Sequence, residues 1–311
     1  MIKKRIYKLI ESILKKIIFF FKKTPNKNLV KSALSAIYKA HDNEKILLKI
    51  NKQENFIVYA HETISKEIFI NGSYGLDNIE KVKSIIKSSN NLTTLVDVGA
   101  NIGSICIPAI TRNLFENAIA IEPEINNYRL LIANIFINKL EKKITTHNIA
   151  LTDKNDVILN LNTKPKFNNK GDFRIEENVS NNINLNDEGI ITIKGETLDK
   201  IAPNLRKENS LICMDTQGYE GIILKGAKQN LQKKIPILLE FSPKLMKYYN
   251  SFDNFKLLFP YYSTFFNLND KEPVPIKLNE NNLKKLFNNL FSKSQFHGEF
   301  EIGAYTDLLI I

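Results

Sequence analysis

Cysteine is scarce: the 311 residues hold two, Cys106 and Cys213, each within an apolar stretch. There is no CxxC pair and no Cys/His spacing of the kind that binds zinc, so a disulfide framework and a structural metal knot are both excluded. Each cysteine reads as a small buried hydrophobe, and the expected setting is reducing, as in the cytoplasm. Long apolar runs are missing too. Even Ile17–Phe21 falls far short of the roughly 20 residues that span a bilayer, and no small-residue cleavage site marks a secretory signal. The four histidines (His41, His61, His147, His297) each stand alone in the sequence. No Gly-Lys-Ser/Thr triphosphate loop, no G-x-G-x-x-G fingerprint and no internal repeat occurs.

What is present begins with charge. The net charge is +11, but residues 1–23 carry eight basic side chains (Lys3, Lys4, Arg5, Lys8, Lys15, Lys16, Lys22, Lys23) against Glu11 alone. The remaining chain is close to neutral for its length, so no nucleic-acid partner is expected. On a helical wheel Ile2, Ile6, Leu9, Ile10, Ile13, Leu14, Ile17, Phe20 and Phe21 oppose most of these basic residues. Two readings fit this amphipathic segment: a helix lying on an anionic inner membrane surface, or one packed on its own domain or a partner.

Residues 24–92 form a mixed extension, with strands at Ile46–Ile50 and Phe56–Tyr59, a turn at Asn71-Gly72 and a helix over Leu76–Ser88. The main domain is expected over 93–311. A short β-branched strand, Thr93–Val98, ends in Asp97-Val98-Gly99-Ala100-Asn101-Ile102-Gly103 and leads into a helix reaching Phe115. Strand (Ala118–Glu122), helix (Asn126–Asn138) and strand (Ile144–Ala150) follow, an alternation that specifies a doubly wound parallel α/β sheet. Residues 151–209, with strand-like Val157–Leu161 and Ile190–Ile193, form an insertion. Regular alternation then resumes with strand Leu211–Met214, helix Glu220–Gln232, strand Pro236–Phe241, helix Leu245–Leu258, and strands near Tyr261–Asn267 and Thr306–Ile311.

Three clusters carry chemistry. The glycine turn between strand and helix lets a ligand approach the backbone without meeting a Cβ. Its glycines are four apart and an acid precedes the first by two, which suits an amino-acid tail and a sulfonium better than a pyrophosphate. Glu122 ends the next strand, 19 residues after Gly103, in reach of a ribose hydroxyl pair. The third cluster, Cys213-Met214-Asp215-Thr216-Gln217-Gly218-Tyr219-Glu220, puts two carboxylates around a strand-to-helix turn at the same edge. Asp215 can orient a substrate or accept a hydroxyl proton there. Glu220 serves either that chemistry or the helix dipole. Asp215 with Glu240 would give a hard cation two ligands, too few to assign a metal.

In order and spacing the chain resembles the FkbM family of methyltransferases over about residues 60–311. The matching pieces are Leu95 to Gly103, Ala120-Ile121-Glu122-Pro123, Asn148-Ile149-Ala150-Leu151 and Thr197-Leu198-Asp199. Asp215 to Glu220, Leu224-Lys225-Gly226-Ala227 and Leu238-Leu239-Glu240 complete the set. Asn169 to Ile175 is similar to a segment found in part of the family, whereas Gln217 stands where many members have Glu.

The resemblance implies a Rossmann-like class I methyltransferase sheet, mostly parallel with an antiparallel C-terminal strand. It implies S-adenosylmethionine as cofactor and methyl transfer, usually to a hydroxyl of a surface glycan or a secondary metabolite. By position, Asp97, Gly99, Ala100, Asn101 and Gly103 would line the methionine side, Glu122 the ribose, and Asn148 and Ala150 the adenine. Asp215 leads as the group that orients the acceptor or removes its proton, with Glu220 and Glu240 beside it. Asp172 and Arg174, in the insertion, would shape the acceptor pocket. The rival readings are a nicotinamide-dependent sugar dehydrogenase, disfavoured by the glycine spacing and the lack of Tyr-x-x-x-Lys, and a catalytically silent scaffold at a membrane surface.

Overall fold

In the computed structural model the described residues are 11–12, 27–39, 46–86, 92–164, 169–176, 189–293, 295–297, 300–302 and 304–311. The amphipathic segment 1–23 therefore lies outside them, apart from Glu11 and Ser12. No helix among the described residues is long and apolar enough to cross a membrane.

The chain runs through helix α1 (Lys27–Lys39), the hairpin β1 (Ile46–Ile50) and β2 (Asn55–Tyr59), and helices α2 (Thr63–Asn71) and α3 (Leu76–Ile86). Next come β3 (Thr94–Val98), α4 (Cys106–Thr111), β4 (Asn117–Ile121), α5 (Ile125–Ile137) and β5 (Ile144–His147). A further group comprises β6 (Ala150–Leu151), β7 (Val157–Asn162), β8 (Arg174–Glu176), β9 (Ile190–Glu196) and α6 (Leu198–Ile201). Then follow β10 (Ser210–Met214), α7 (Glu220–Lys225), α8 (Lys228–Gln232), β11 (Ile237–Phe241) and α9 (Pro243–Tyr248). The 3-10 helix Phe252–Leu258, β12 (Thr264–Asn267), β13 (Ile276–Lys277), α10 (Glu280–Ser292), the hairpin β14 (Gln295–His297) and β15 (Phe300–Ile302), and β16 (Thr306–Ile310) complete the fold.

Eight strands make the main sheet, in the order β13-β12-β16-β11-β10-β3-β4-β5. β5, β4, β3, β10 and β11 are mutually parallel, and β16 enters antiparallel between β11 and β12. The central strands β3 and β10 are buried on both faces, which is why, Asp97 apart, their interiors read as apolar runs and not as alternating ones. Alternate residues feed two cores: Val96, Val98, Ile212 and Met214 pack on one side, Leu95, Leu211, Cys213 and Cys106 on the other. Both cysteines are free and buried.

Strand order reverses between β3 and β10, so the connections leaving these two strands depart to opposite sides and a crevice opens at their carboxyl ends. Two structures border it. The segment before β3 packs its hairpin along α5, where Asn134 and Asn138 bond the free edge of β2. The segment between β5 and β10 forms its own four-stranded sheet, ordered β6-β9-β7-β8.

Several expected elements are divided. Ile144–Ala150 is two strands in two sheets, because the Asn148 amide donates to the carbonyls of Glu122 and Pro123 and turns the chain there. Glu220–Gln232 breaks at Gly226, where a Cβ would lie 2.2 Å from the Thr152 carbonyl oxygen. Leu245–Leu258 splits around Asn250 (φ 48°), with the Ser251 hydroxyl donating to the Gly218 carbonyl. The helix after the glycine turn is short, and Pro108 sits in its first turn, where a missing N–H costs no helical bond. Helix α10 was not anticipated.

Candidate active site

The glycine turn is held by the neighbouring strand: the Gly99 and Ala100 amides both donate to the Ile121 carbonyl at 3.0 Å. Gly99 (φ 84°), Asn101 (φ 50°) and Gly103 (φ 91°) all lie in the left-handed region, where a Cβ is penalised. The space a Cβ would need at Gly99 is filled by protein, with the Asp215 carbonyl oxygen 2.1 Å away. This glycine therefore lets two strand-tip segments close on each other, in addition to shaping the turn. Asp97, just before it, is buried and accepts from the Cys106 amide at 3.1 Å. Burial raises its carboxyl to about 6.

Glu122 stands at the tip of β4, also buried. One carboxylate oxygen accepts from the Asn101 amide and the other from the Glu124 amide, both at 2.9 Å. These bonds tie the glycine turn to the next strand and fix the carboxylate's direction. A carboxylate offers about four acceptor positions, so lone pairs remain for a ligand. Burial pushes its pKa up to about 7, with the two amides and Asn127 opposing the rise. Asn148, which props up the chain at Glu122 and Pro123, sets Ile149 and Ala150 against the crevice.

The third cluster turns sharply. Gln217 (φ 56°) and Gly218 (φ 91°) are successive left-handed residues, and at Gly218 a Cβ would meet Leu245 at 2.4 Å. The Asp215 amide donates to the Val98 carbonyl, joining this turn to the first. The Asp215 side chain is exposed within the crevice and receives the Gln217 amide at 2.9 Å; the same amide reaches Glu240 at 3.4 Å. Glu240 pairs in register with Asp307 of β16. Burial and the charges of Asp215, Glu220 and Asp307 raise Glu240 well above the usual carboxylate range, and burial with Asp215 raises Asp307 to about 6. Desolvation, with a smaller push from Asp172, raises Asp215 against the opposing bonds from Gln217 and Glu240.

Asp97, Gly99, Asn101, Glu122, Ala150 and Asp215 thus face one crevice. Other expected residues do not line it. Ala100 and Gly103 build the turn, and Asn148 supports the β4 tip. Glu220 is fully buried and accepts from the amide and hydroxyl of Thr216, at 2.8 and 2.9 Å, closing the turn from behind. Phe173 and Ile175 line the crevice, while Asp172 and Arg174 pair with each other at 2.9 Å and are not among its lining residues. Half-buried His147 is not a lining residue.

Sequence reasoning missed Ile64 and Tyr74, from the segment before β3, and Asn127, Asn169, Lys170 and Gly171. Only the similarity of Asn169 to Ile175 to a family segment pointed to that stretch. Tyr74 lies near Asp215, Glu240 and Asp307, whose charges together with burial push its phenol up. Among the described residues no group of three or more His, Cys, Asp or Glu side chains is arranged to hold a metal ion.

The model of the methyltransferase FkbM domain matches residues 97–259, more than half of the chain. Among solved structures, the chain is similar to methyltransferase FkbM from Methylobacillus flagellatus KT (18% identity, TM-score 0.36). That match covers 71% of this chain and 44% of that one, so this chain spans less than half of its length. It is also similar to TYW2 of M. jannaschii in complex with AdoMet (13% identity, TM-score 0.39), with 87% and 86% covered. No curated protein matches the sequence.

Proposed function

The chain belongs to the FkbM methyltransferase family, and from that premise we propose that residues 93–311 use S-adenosylmethionine to methylate a hydroxyl oxygen. The expected acceptor is a small molecule or glycan: a sugar of a surface polysaccharide or glycolipid, or a secondary metabolite. One observation carries the reading. Asp97, Glu122 and Asp215 come from three adjacent parallel strands and all line one crevice.

The residues fit the cofactor's chemistry. Asp97 offers negative charge to an ammonium, Glu122 offers acceptors to a hydroxyl pair, and Ile121, Ile149, Leu151 and Ile223 give an apolar wall for a base. When bound, S-adenosylmethionine supplies a methyl group already activated on a sulfonium, so the protein's task is alignment and exclusion of water. Asp215 takes the acceptor's hydroxyl proton as charge develops on the oxygen. Desolvation by the crevice walls raises its proton affinity, which strengthens it as a base, and the Gln217 amide steadies its ionised form. Tyr74, Phe173 and Ile175 border the acceptor and keep water out. Glu220 acts behind Asp215 by fixing the turn. A nicotinamide-dependent dehydrogenase is set aside by family membership. The protein is proposed to work in the cytoplasm, with residues 1–23 making peripheral contact with the inner membrane surface.

The test is Asp215→Asn, assayed by transfer of labelled methyl to hydroxyl acceptors and by S-adenosylhomocysteine titration. Turnover should fall by about 10²–10⁴-fold, the usual share of a general base, with cofactor affinity unchanged. Intact turnover with intact binding would remove Asp215 from the role of base.

A further inference from the structure

The segment between β5 and β10 does more than border an acceptor. Its residues Asn169–Gly171 line the crevice, with Lys170 held against Asn127 and Gly171 against Ile64 and Asn101. Resting on the cofactor reading above, we propose that Asn169–Gly171 is a strap that must shift for the cofactor to enter and leave, latched by Asn127, whose free oxygen accepts a hydrogen bond from the bound nucleoside.

The strap is pinned at three points. The Asn127 amide donates to the Lys170 carbonyl at 3.0 Å. The Lys170 ammonium lies 3.6 Å from the centroid of the Tyr59 ring, a cation–π contact that occupies this lysine within the protein. Gly171 is wedged between the segment before β3 and the glycine turn: a Cβ there would come 2.7 Å from Ile64 Cδ1 and 3.2 Å from Asn101 Nδ2. The strap's shape is local, since the Asn169 side chain accepts from the Gly171 amide and its carbonyl from the Asp172 amide, both at 3.0 Å.

Asn127 connects strap and ligand. It is 1% exposed, lines the crevice beside Glu122, and its Oδ1 receives no hydrogen bond from any described residue. A buried acceptor left without a donor is costly, and a ligand donor removes that cost. Its position beside the carboxylate that would hold the ribose selects a hydroxyl or an exocyclic amine. A fully ionised phosphate has no proton to offer. Nucleoside binding and strap closure therefore meet on one side chain, whose nitrogen holds the strap while its oxygen holds the ligand.

Surface plasmon resonance of the full chain with S-adenosylhomocysteine tests this. Asn127→Ala should speed dissociation by roughly tenfold or more, equal to the loss of about 1.4 kcal/mol. Lys170→Ala keeps the carbonyl that Asn127 holds and removes only the contact with Tyr59. It should raise association and dissociation rates together, leaving Kd within about threefold, as expected for a gate that contributes little to affinity. Wild-type rates in both variants would overturn the strap and leave the cofactor reading standing. Absence of binding by folded wild-type protein would overturn the cofactor reading itself, and the strap with it.

Discussion

Replacing Gly99 by alanine probes the junction on which the crevice depends. Gly99 holds φ 84°, and the added Cβ would sit 2.1 Å from the Asp215 carbonyl oxygen. The left-handed conformation alone costs a non-glycine residue about 1–2 kcal/mol. Relieving the clash demands a shift of more than roughly an ångström between two backbones, and overpacking of that kind costs about 1–3 kcal/mol. The Asp215-to-Val98 backbone bond resists the movement. A total of about 2–5 kcal/mol corresponds to a fall of roughly 4–10 °C in melting temperature for a domain of this size. Cofactor affinity should fall as well, because the displaced turn carries Asp97 and Asp215 apart. Gly103→Ala is the control. It carries the same penalty at φ 91°, but its Cβ would meet the ends of the Ile107 and Leu131 side chains, which can rotate away. Melting scans and S-adenosylhomocysteine titration of both variants decide the matter. If Gly99→Ala is no less stable than Gly103→Ala, the close approach of the two turns does not organise the site.

Glu220→Ala should cost about 2–3 kcal/mol in urea unfolding, since it strips two donors of Thr216 of their buried acceptor, and should change cofactor affinity by less than threefold. A stable variant with lost binding would return Glu220 to the chemistry. The acid groups also predict a pH dependence. Glu122 and Glu220 are raised to about 7 and Asp97 and Asp307 to about 6. Between about pH 4 and 7 the native state therefore holds more protons than the unfolded chain, whose carboxyls titrate near 4. Stability from these groups is complete below that window and is lost as pH rises through it. Affinity for the cationic cofactor should rise over the same range as the carboxylates ionise. A melting temperature of the unliganded protein that climbs steadily from pH 5 to 8 would refute this assignment.

The parallel sheet was legible because its signals are local. The β-branched runs ending at Val98 and Ile121 and the apolar run at Met214 each stop at a turn carrying glycine or an acid, and those turns share one edge. The division of Ile144–Ala150 was not legible: it depends on one side-chain amide, that of Asn148, finding carbonyls more than 20 residues away. Strand β8 is three residues long and appeared only as part of a family-like segment. The irregular chain just before it sets Phe173, and not Asp172, among the lining residues. Tyr74 and Asn127 were hidden for a different reason. Tyr74 follows a helix that ends on Gly72 (φ 92°), far in sequence from the turns it joins. Asn127 looks like any polar residue in a helix's first turn until its oxygen is seen to lack a donor. Helix α10 carries a readable apolar period in Leu283, Leu286, Phe287 and Leu290, preceded by the cap Asn279.

Isothermal titration of the wild-type chain and Glu122→Gln with S-adenosylhomocysteine and with NAD tests the nucleoside crevice most directly. One equivalent of S-adenosylhomocysteine should bind, NAD should not, and Glu122→Gln should weaken binding by roughly ten- to hundredfold, the loss of about 1.5–3 kcal/mol expected for a hydrogen bond to a charged group. A folded wild-type chain that takes up no S-adenosylhomocysteine, or a Glu122→Gln variant that binds it as tightly as wild type, would contradict the account.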